Sequence, residues 1–87
     1  MTDFKLKISG PSGIIYDGLC SSLIVPTSDG YRGIMANHEN AAVAVSDGTI
    51  SLTIKNERKT LPVTGAILIF ENNEANIILH SSAEFNN

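Results

Sequence analysis

The chain has 87 residues, of which 43% are hydrophobic and 17% charged, and its formal net charge is −3 at pH 7. This length gives one hydrophobic core and hence a single domain, residues 1–87, and the composition excludes a disordered chain. The six basic residues are scattered and form no stripe, which argues against nucleic acid as a partner.

Cys20 is the one cysteine, so no internal disulfide can form, as is typical of proteins from a reducing compartment. We expect it to be a small buried strand residue, because no neighbouring residue would lower the pKa of its thiol. The sequence begins directly with a charged strand pattern, and no apolar run approaches membrane-spanning length. We therefore expect no signal or transit peptide and no direct membrane insertion.

Short strands separated by turn residues are predicted in the first third of the chain. Alternation of apolar and polar residues predicts a strand over residues 4–9, and the glycines and proline of residues 10–13 predict a turn. A second turn is predicted at Asp17-Gly18, after a short strand at residues 14–16. A strand over residues 19–25, ended by Pro26, completes this part.

Within that last strand, Leu19, Leu23 and Val25 are predicted to share one face. Cys20, Ser22 and Ile24 are predicted on the other face, because successive strand residues alternate.

Residues 28–38 are the least regular stretch, and we expect a loop that the surrounding strands present. Gly30 and Gly33 indicate backbone that bends sharply or lies close to another molecule. The tyrosine, arginine and histidine of this stretch are residue types enriched in binding surfaces. An alternative stays open, in which the glycines only shape a turn and Asn37 and His38 cap backbone groups.

The second half of the sequence predicts more short strands, at residues 41–45, 50–55, 58–63, 66–70 and 75–79. Asp47-Gly48 between apolar runs is a strong hairpin signal, and two further turns are predicted at Asn56-Glu57 and at residues 71–74. The run at residues 66–70 is continuously apolar, which predicts burial on both faces.

The spacing from Ser81 to Glu84 is that of a capping box, which predicts the start of a helix. No other segment has a sustained helical period. Many short strands with frequent turns therefore predict an all-β fold, an antiparallel sandwich or barrel.

Patterns for catalysis and for metal binding are weak. His38 and His80 could transfer protons near neutral pH, but no nucleophile motif accompanies them, and their separation lacks metal-ligand spacing. The pair Gly30 and Gly33 lacks the lysine and further glycines of a phosphate-binding loop. We expect no enzyme activity, cofactor or metal. The open alternative is a small hydrolase that uses one of the two histidines.

The order of these segments resembles the N-terminal β-sandwich domain of the ε subunit of F-type ATP synthases. The most specific stretch in that family runs acidic-Gly-x-x-Gly-apolar-apolar-Pro-x-His-x-Pro, and it appears here from Asp29 to Asn40. The sequence departs from the family at Ala36 and Asn40, which replace both prolines, and at Ala66, where a second glycine is common. Further matches are the turn at residues 10–13, Gly18 before residues 19–25, Gly48 before residues 50–52, and residues 64–79.

The resemblance implies a flattened antiparallel β-sandwich and a non-catalytic role in the rotating central stalk of an F-type ATP synthase. The side towards the ring of membrane-embedded c subunits would be Asp29, Gly30, Tyr31, Arg32 and Gly33. The side towards the γ subunit would be His38, Glu39, Asn40, Ala41, Ala42 and Val43, continuing to Val45.

Implied partners are the γ subunit, the c-ring and, in the assembled complex, the α and β subunits. The implied role supports ATP synthesis coupled to protons or sodium ions, from a peripheral position on the cytoplasmic face of a bacterial cell membrane. Family members usually continue into a helical hairpin, and we expect that hairpin to be absent here. The alternative is a free-standing β-sandwich module that binds a peptide, a sugar or another small ligand.

Overall fold

The computed structural model describes residues 2–86, in which seven strands form one continuous sheet. Their order across the sheet is β2-β1-β7-β6-β5-β3-β4, and neighbours pair antiparallel except β1 and β7, which run parallel. The strands are β1 (Phe4–Gly10), β2 (Gly13–Cys20), β3 (Ser22–Thr27), β4 (Gly30–Met35), β5 (Ala41–Ile54), β6 (Glu57–Glu71) and β7 (Glu74–Leu79).

The long β5–β6 hairpin belongs to both layers of the fold. Residues 41–45 of β5 and 66–71 of β6 continue the first layer, which also contains β2, β1 and β7. Residues 48–54 and 57–63 continue the second layer, which contains β3 and β4. One cluster of buried side chains from all seven strands fills the space that the folded sheet encloses. The prediction of an all-β fold is confirmed.

A change in the buried face marks the bend in β5. Buried positions are odd-numbered up to Val45 and even-numbered from Ile50 onwards. Because strand side chains alternate strictly, this change needs one irregular residue. Gly48 supplies it in β5 with φ +153°, and Gly65 does so in β6 with φ +89°, both values that favour glycine.

The predicted hairpin at Asp47-Gly48 is therefore wrong. A two-residue turn of that kind needs positive φ at both central residues, and here only the glycine has it, so the strand bends and continues. The actual hairpin turns are Lys55-Asn56 and Asn72-Asn73, where all four residues have positive φ. The turn predicted at residues 71–74 is confirmed, and the one predicted at Asn56-Glu57 lies one residue earlier.

The predicted loop at residues 28–38 is also wrong for most of its length, because β4 occupies residues 30–35 and pairs with β3 throughout. β3 runs on through Pro26, so this proline does not end the strand. Pro26 is opposite Tyr31, one pair away from the hairpin-closing pair Thr27 and Gly30. Because hydrogen-bonded pairs alternate in an antiparallel ladder, that position requires no N–H donor.

Three further features differ from prediction. β2 continues through Asp17-Gly18 without a turn. The predicted faces hold for residues 22–25, where Leu23 and Val25 are buried, but are inverted at residues 19–20, because the strand is interrupted at Ser21: Leu19 is 56% exposed and Cys20 is buried. The run at residues 66–70 is buried on one face only, since nothing among the described residues covers the outer face of the first layer.

The predicted helix at residues 81–84 does not form. The Ser81 hydroxyl is hydrogen-bonded to the Thr64 hydroxyl, which leaves it engaged with β6 rather than capping a helix. Beyond it, Asn86 forms an isolated bridge with Thr60, with backbone hydrogen bonds of 2.8 and 2.9 Å. This segment therefore runs along the otherwise unpaired side of β6 in the second layer.

Candidate partner-binding surfaces

The first candidate surface, here called the β4 surface, consists of Asp29, Gly30, Tyr31, Arg32 and Gly33. It begins at the tip of the β3–β4 hairpin, which Thr27 holds in shape. The Thr27 hydroxyl donates to the carbonyl oxygen of Gly30 at 2.6 Å and accepts from the N–H of Asp29 at 3.2 Å. Gly30 closes the turn with φ +109°. The tip is thus a defined hairpin turn rather than an irregular loop.

Along β4, most side chains are exposed and one enters the core. Ile34 is fully buried, whereas Tyr31 is 71% and Met35 is 61% exposed on the opposite face. Gly33 lies between these two, and a Cβ added there would meet nothing within 4 Å; its φ is not positive either. The fold therefore gives no reason for a glycine at this position. Such strand glycines often mark a place where another molecule approaches closely.

The second candidate surface, here called the β5 surface, consists of His38, Glu39, Asn40, Ala41, Ala42 and Val43. The segment that leads into β5 is fastened to the β6–β7 turn by two amide side chains. Asn40 Oδ1 accepts from the N–H of Asn72 at 3.1 Å, and Asn73 Oδ1 accepts from the N–H of Asn37 at 2.7 Å. Asn40, which departs from the proline of the resembled family, thus has a definite structural role.

His38 ties the same segment to the core. Its ring packs edge-on against Phe70, with centroids 5.6 Å apart, and Phe70 packs in turn against Phe4 at 5.6 Å. The Nδ1 atom lies 2.6 Å from the carbonyl oxygen of Glu39, which requires a hydrogen on Nδ1 because a carbonyl can only accept. His80 lies beyond the other end of β7, so the two histidines do not converge on one site.

The β5 part of this surface is a strand edge. Val43 and Val45 point into the core, while Ala42 and Ala44 are exposed. Among residues 2–86, this half of β5 pairs with β6 alone. Ala42 was among the residues predicted for this surface, whereas the exposed Met35 of β4 was not assigned a role; Ile34 and Met35 are adjacent apolar residues, so the sequence gives no signal that one is buried and the other exposed.

Cys20 is buried, as predicted. Its thiol donates to the carbonyl oxygen of Ser22 at 3.0 Å, and burial raises its pKa. Over the described part of the chain, no three metal-ligating side chains are grouped together, and no helix there is long and apolar enough to cross a membrane.

A half-open cleft of about 730 Å³, which was not predicted from the sequence, lies between the end of β2 and the β5–β6 turn. Tyr16 lies at its wall, with its hydroxyl donating to the Leu19 carbonyl oxygen at 2.6 Å and its ring edge-on to Phe85. The pKa of Tyr16 is raised, mainly because the group is partly buried and to a lesser extent because of the neighbouring Cys20, Asp17 and Asp3. The rim carries both acidic and basic side chains, so the cleft selects no charge.

Residues 3–85 match the protein family described as ATP synthase, Delta/Epsilon chain, beta-sandwich domain. The chain belongs to this family. The ATP synthase epsilon chain of Leptospira interrogans is 33% identical over 85 residues, which cover 95% of this chain and 67% of that relative. The chloroplastic ATP synthase epsilon chain of Mesostigma viride is 32% identical over 82 residues, covering 93% and 61%. The chain thus spans about three fifths to two thirds of the length of these family members.

Two solved structures share the fold at low sequence identity. A chain in the cryo-EM structure of the Euglena gracilis mitochondrial ATP synthase (OSCP/F1/c-ring) superposes with a TM-score of 0.89 at 14% identity, covering 98% of this chain and 54% of that one. A chain of the Tetrahymena thermophila mitochondrial ATP synthase central stalk and c-ring gives 0.76 at 14% identity, covering 95% and 65%. The predicted β-sandwich of this family is confirmed.

Proposed function

We propose that this chain is a non-catalytic subunit of the rotating central stalk of an F-type ATP synthase, where it links the γ subunit to the c-ring. The observation that carries the proposal is the family match across residues 3–85. It is supported by relatives named ATP synthase epsilon chains and by similar folds in assemblies whose descriptions name the c-ring. Catalysis would reside in the α and β subunits, and the chain would support synthesis coupled to protons or sodium ions.

The β4 surface is the proposed side towards the c-ring. Its hairpin tip is fixed by the Thr27 hydrogen bonds. Gly33 leaves open space beside the exposed Tyr31 side chain, and a closely approaching partner would fill that space. Asp29 and Arg32 add one charge of each sign, which suits the polar loops of a ring rather than its membrane-buried part.

The β5 surface is the proposed side towards the γ subunit. The hydrogen bonds of Asn40 and Asn73 and the packing of His38 on Phe70 hold this segment in one conformation. A preorganised surface loses little conformational freedom when a partner binds, which favours a stable joint.

The fold suits the transmission of torque. All seven strands contribute to one buried cluster, so the two surfaces are carried by a single close-packed body. Protein interiors of this kind have low compressibility, and a push at one surface would therefore reach the other with little deformation. Within the complex, the chain would lie peripherally at the membrane, on the cytoplasmic face if the organism is a bacterium.

The test is reconstitution of the chain with its γ subunit and c-ring, followed by measurement of bound c subunits. We expect Tyr31→Ala and Arg32→Ala to weaken recovery of the c-ring while leaving the thermal unfolding of the free chain unchanged, because both side chains are exposed. Ile14→Ala is the matched control: its side chain is 56% exposed on β2, at the opposite end of the strand order from β4. Equal recovery with all three variants would remove the β4 surface from the c-ring contact.

A further inference from the structure

Among residues 2–86, the longer stretches with one side not covered by a neighbouring strand include β2, β4, residues 41–45 of β5 and residues 57–63 of β6. Unpaired N–H and C=O groups invite another strand, so proteins protect such edges with charges, prolines, bulges or covering segments. These four edges differ in how well they are protected.

Three of the edges carry such devices. β2 has a bulge, because its register with β1 shifts by one residue at Ile15, and it has a charge at Asp17. β4 carries Arg32 at its centre. The β6 edge carries Arg58, Lys59 and Pro62, and Asn86 bridges to it at Thr60.

The β5 edge carries none of them. Its residues are Ala41, Ala42, Val43, Ala44 and Val45, without a charge or a proline, and their register with β6 is unbroken. An apolar and uncharged edge with an unbroken register is the type that pairs with another strand.

The β6–β7 turn determines which backbone groups of this edge are unpaired. The closing pair of a two-residue hairpin, here Glu71 and Glu74, exchanges both hydrogen bonds, and hydrogen-bonded pairs then alternate along each ladder. By this alternation Phe70, Leu68 and Ala66 bond towards β5. Their partners there are Ala41, Val43 and Val45, so the N–H and C=O groups of Ala42 and Ala44 point away from the sheet.

Charge opposes pairing of this edge with a second copy of the chain. In the antiparallel register that uses the outward groups of both alanines, Ala42 lies opposite Ala44 of the other copy, and Glu39 lies opposite Asp47 at both ends. Both carboxylates are exposed, and like charges directly opposite each other destabilise a strand pair. The same two charges favour a different strand whose apolar centre is flanked by lysine or arginine.

An apolar row on the outer face of the first layer continues from this edge. In register, Ala44 lies beside Ile67 and Ile67 beside Ile78, and the two isoleucines are 46% and 49% exposed. Ile69, 39% exposed, lies two residues along β6 on the same face. A strand added at β5 would extend this row with its own apolar side chains, whose burial would add to the hydrogen bonds.

We propose that residues 41–45 accept an extended strand of the γ subunit, with an apolar centre and basic flanks, as an additional strand of the first layer. The inference rests on the proposed function and specifies how the β5 surface binds.

The test compares two substitutions at one outward-facing position. Ala44→Pro removes an N–H that no described strand uses, so the fold is retained, but a partner strand loses that donor. Ala44→Ser keeps the N–H and changes the side chain little. We expect Ala44→Pro to weaken γ binding by about tenfold or more and Ala44→Ser by less than about threefold.

A second measurement is independent of how well the proline variant folds. In the unaltered chain, amide hydrogen exchange at Ala42 and Ala44 should slow when γ is added, while exchange at Ile14 on β2 should not change. Binding of γ with no protection at these two amides, and with equal affinity for both variants, would overturn the strand-addition inference alone. No binding of γ to the unaltered chain would overturn the proposed function as well, and a dimer through this edge would contradict the choice of partner.

Discussion

Alanine substitutions at Gly30 and Gly33 can distinguish a glycine that the fold needs from a glycine that partner binding needs. Gly30 has φ +109°, so Gly30→Ala should strain the hairpin tip and lower the free energy of unfolding by about 1–3 kcal/mol. Gly33 has no positive φ, and an added Cβ would meet nothing within 4 Å. Gly33→Ala should therefore raise the free energy of unfolding by about 0.4–1 kcal/mol, because alanine restricts the unfolded chain.

Although Gly33→Ala should stabilise the free domain, we expect it to weaken binding to the c-ring. The new methyl group would fill the gap between Tyr31 and Met35, and an extra methyl in a packed contact costs about 1–3 kcal/mol. Recovery of the c-ring should therefore weaken by about tenfold, although the free domain has become more stable.

Urea unfolding measures the first effect and c-ring recovery the second. With a slope of about 1 kcal/mol per molar for a domain of this size, Gly33→Ala should move the urea midpoint upwards by roughly 0.4–1 M. If a stabilised Gly33→Ala variant recovers as much c-ring as the unaltered chain, this glycine does not make room for a partner. A destabilised Gly33→Ala variant would refute the structural premise.

Two further predictions concern the segment before β5 and the buried thiol. Asn40→Ala removes the acceptor of the Asn72 N–H and should lower the free energy of unfolding by about 0.5–1.5 kcal/mol; an unchanged thermal midpoint would contradict that role. Burial raises the pKa of Cys20, so its contribution to stability is complete below the ordinary thiol pKa of about 8.5 and is lost as the pH rises through the higher folded value. Urea unfolding at a series of alkaline pH values should show this loss in the unaltered chain, and the same loss in Cys20→Ala would count against it.

Local patterns predicted the fold class and the positions of most strand residues. The alternation in residues 4–9 predicted β1, the short apolar stretch at residues 75–79 predicted most of β7, and the polar residues 71–74 predicted the β6–β7 turn. These signals succeed because each depends on one strand face or on one turn conformation, which neighbouring residues determine.

The errors arose where tertiary pairing determines the structure. Asp47-Gly48 has the composition of a turn, yet pairing with β6 on both sides keeps β5 continuous, and Gly48 only shifts the buried face. β4 was missed because an edge strand with one buried side chain, Ile34, has almost no alternation to detect. The Ser81 to Glu84 spacing failed as a helix signal because Thr64, distant in sequence, engages the serine.

The candidate surfaces could be predicted from sequence only in part. The residues of both surfaces came from the family resemblance, because the composition and the local patterns alone indicated neither a binding partner nor a reaction. The hydrogen bonds of the Asn40 and Asn73 side chains could not be predicted, because they join residues 37–40 to the β6–β7 turn, two segments that are distant in sequence and meet only in the folded chain. The unprotected edge of β5 likewise follows from strand order and register, which the sequence does not state.

If this chain works in the stalk of an ATP synthase, purification of the tagged chain from its native membranes should recover the other stalk subunits. We predict that γ, α, β and c subunits are recovered with it in a stable complex. Recovery of the chain alone, or with unrelated partners, would contradict this role. The family match would then describe the fold of the chain and not its function. A free-standing binding module would then be the better account.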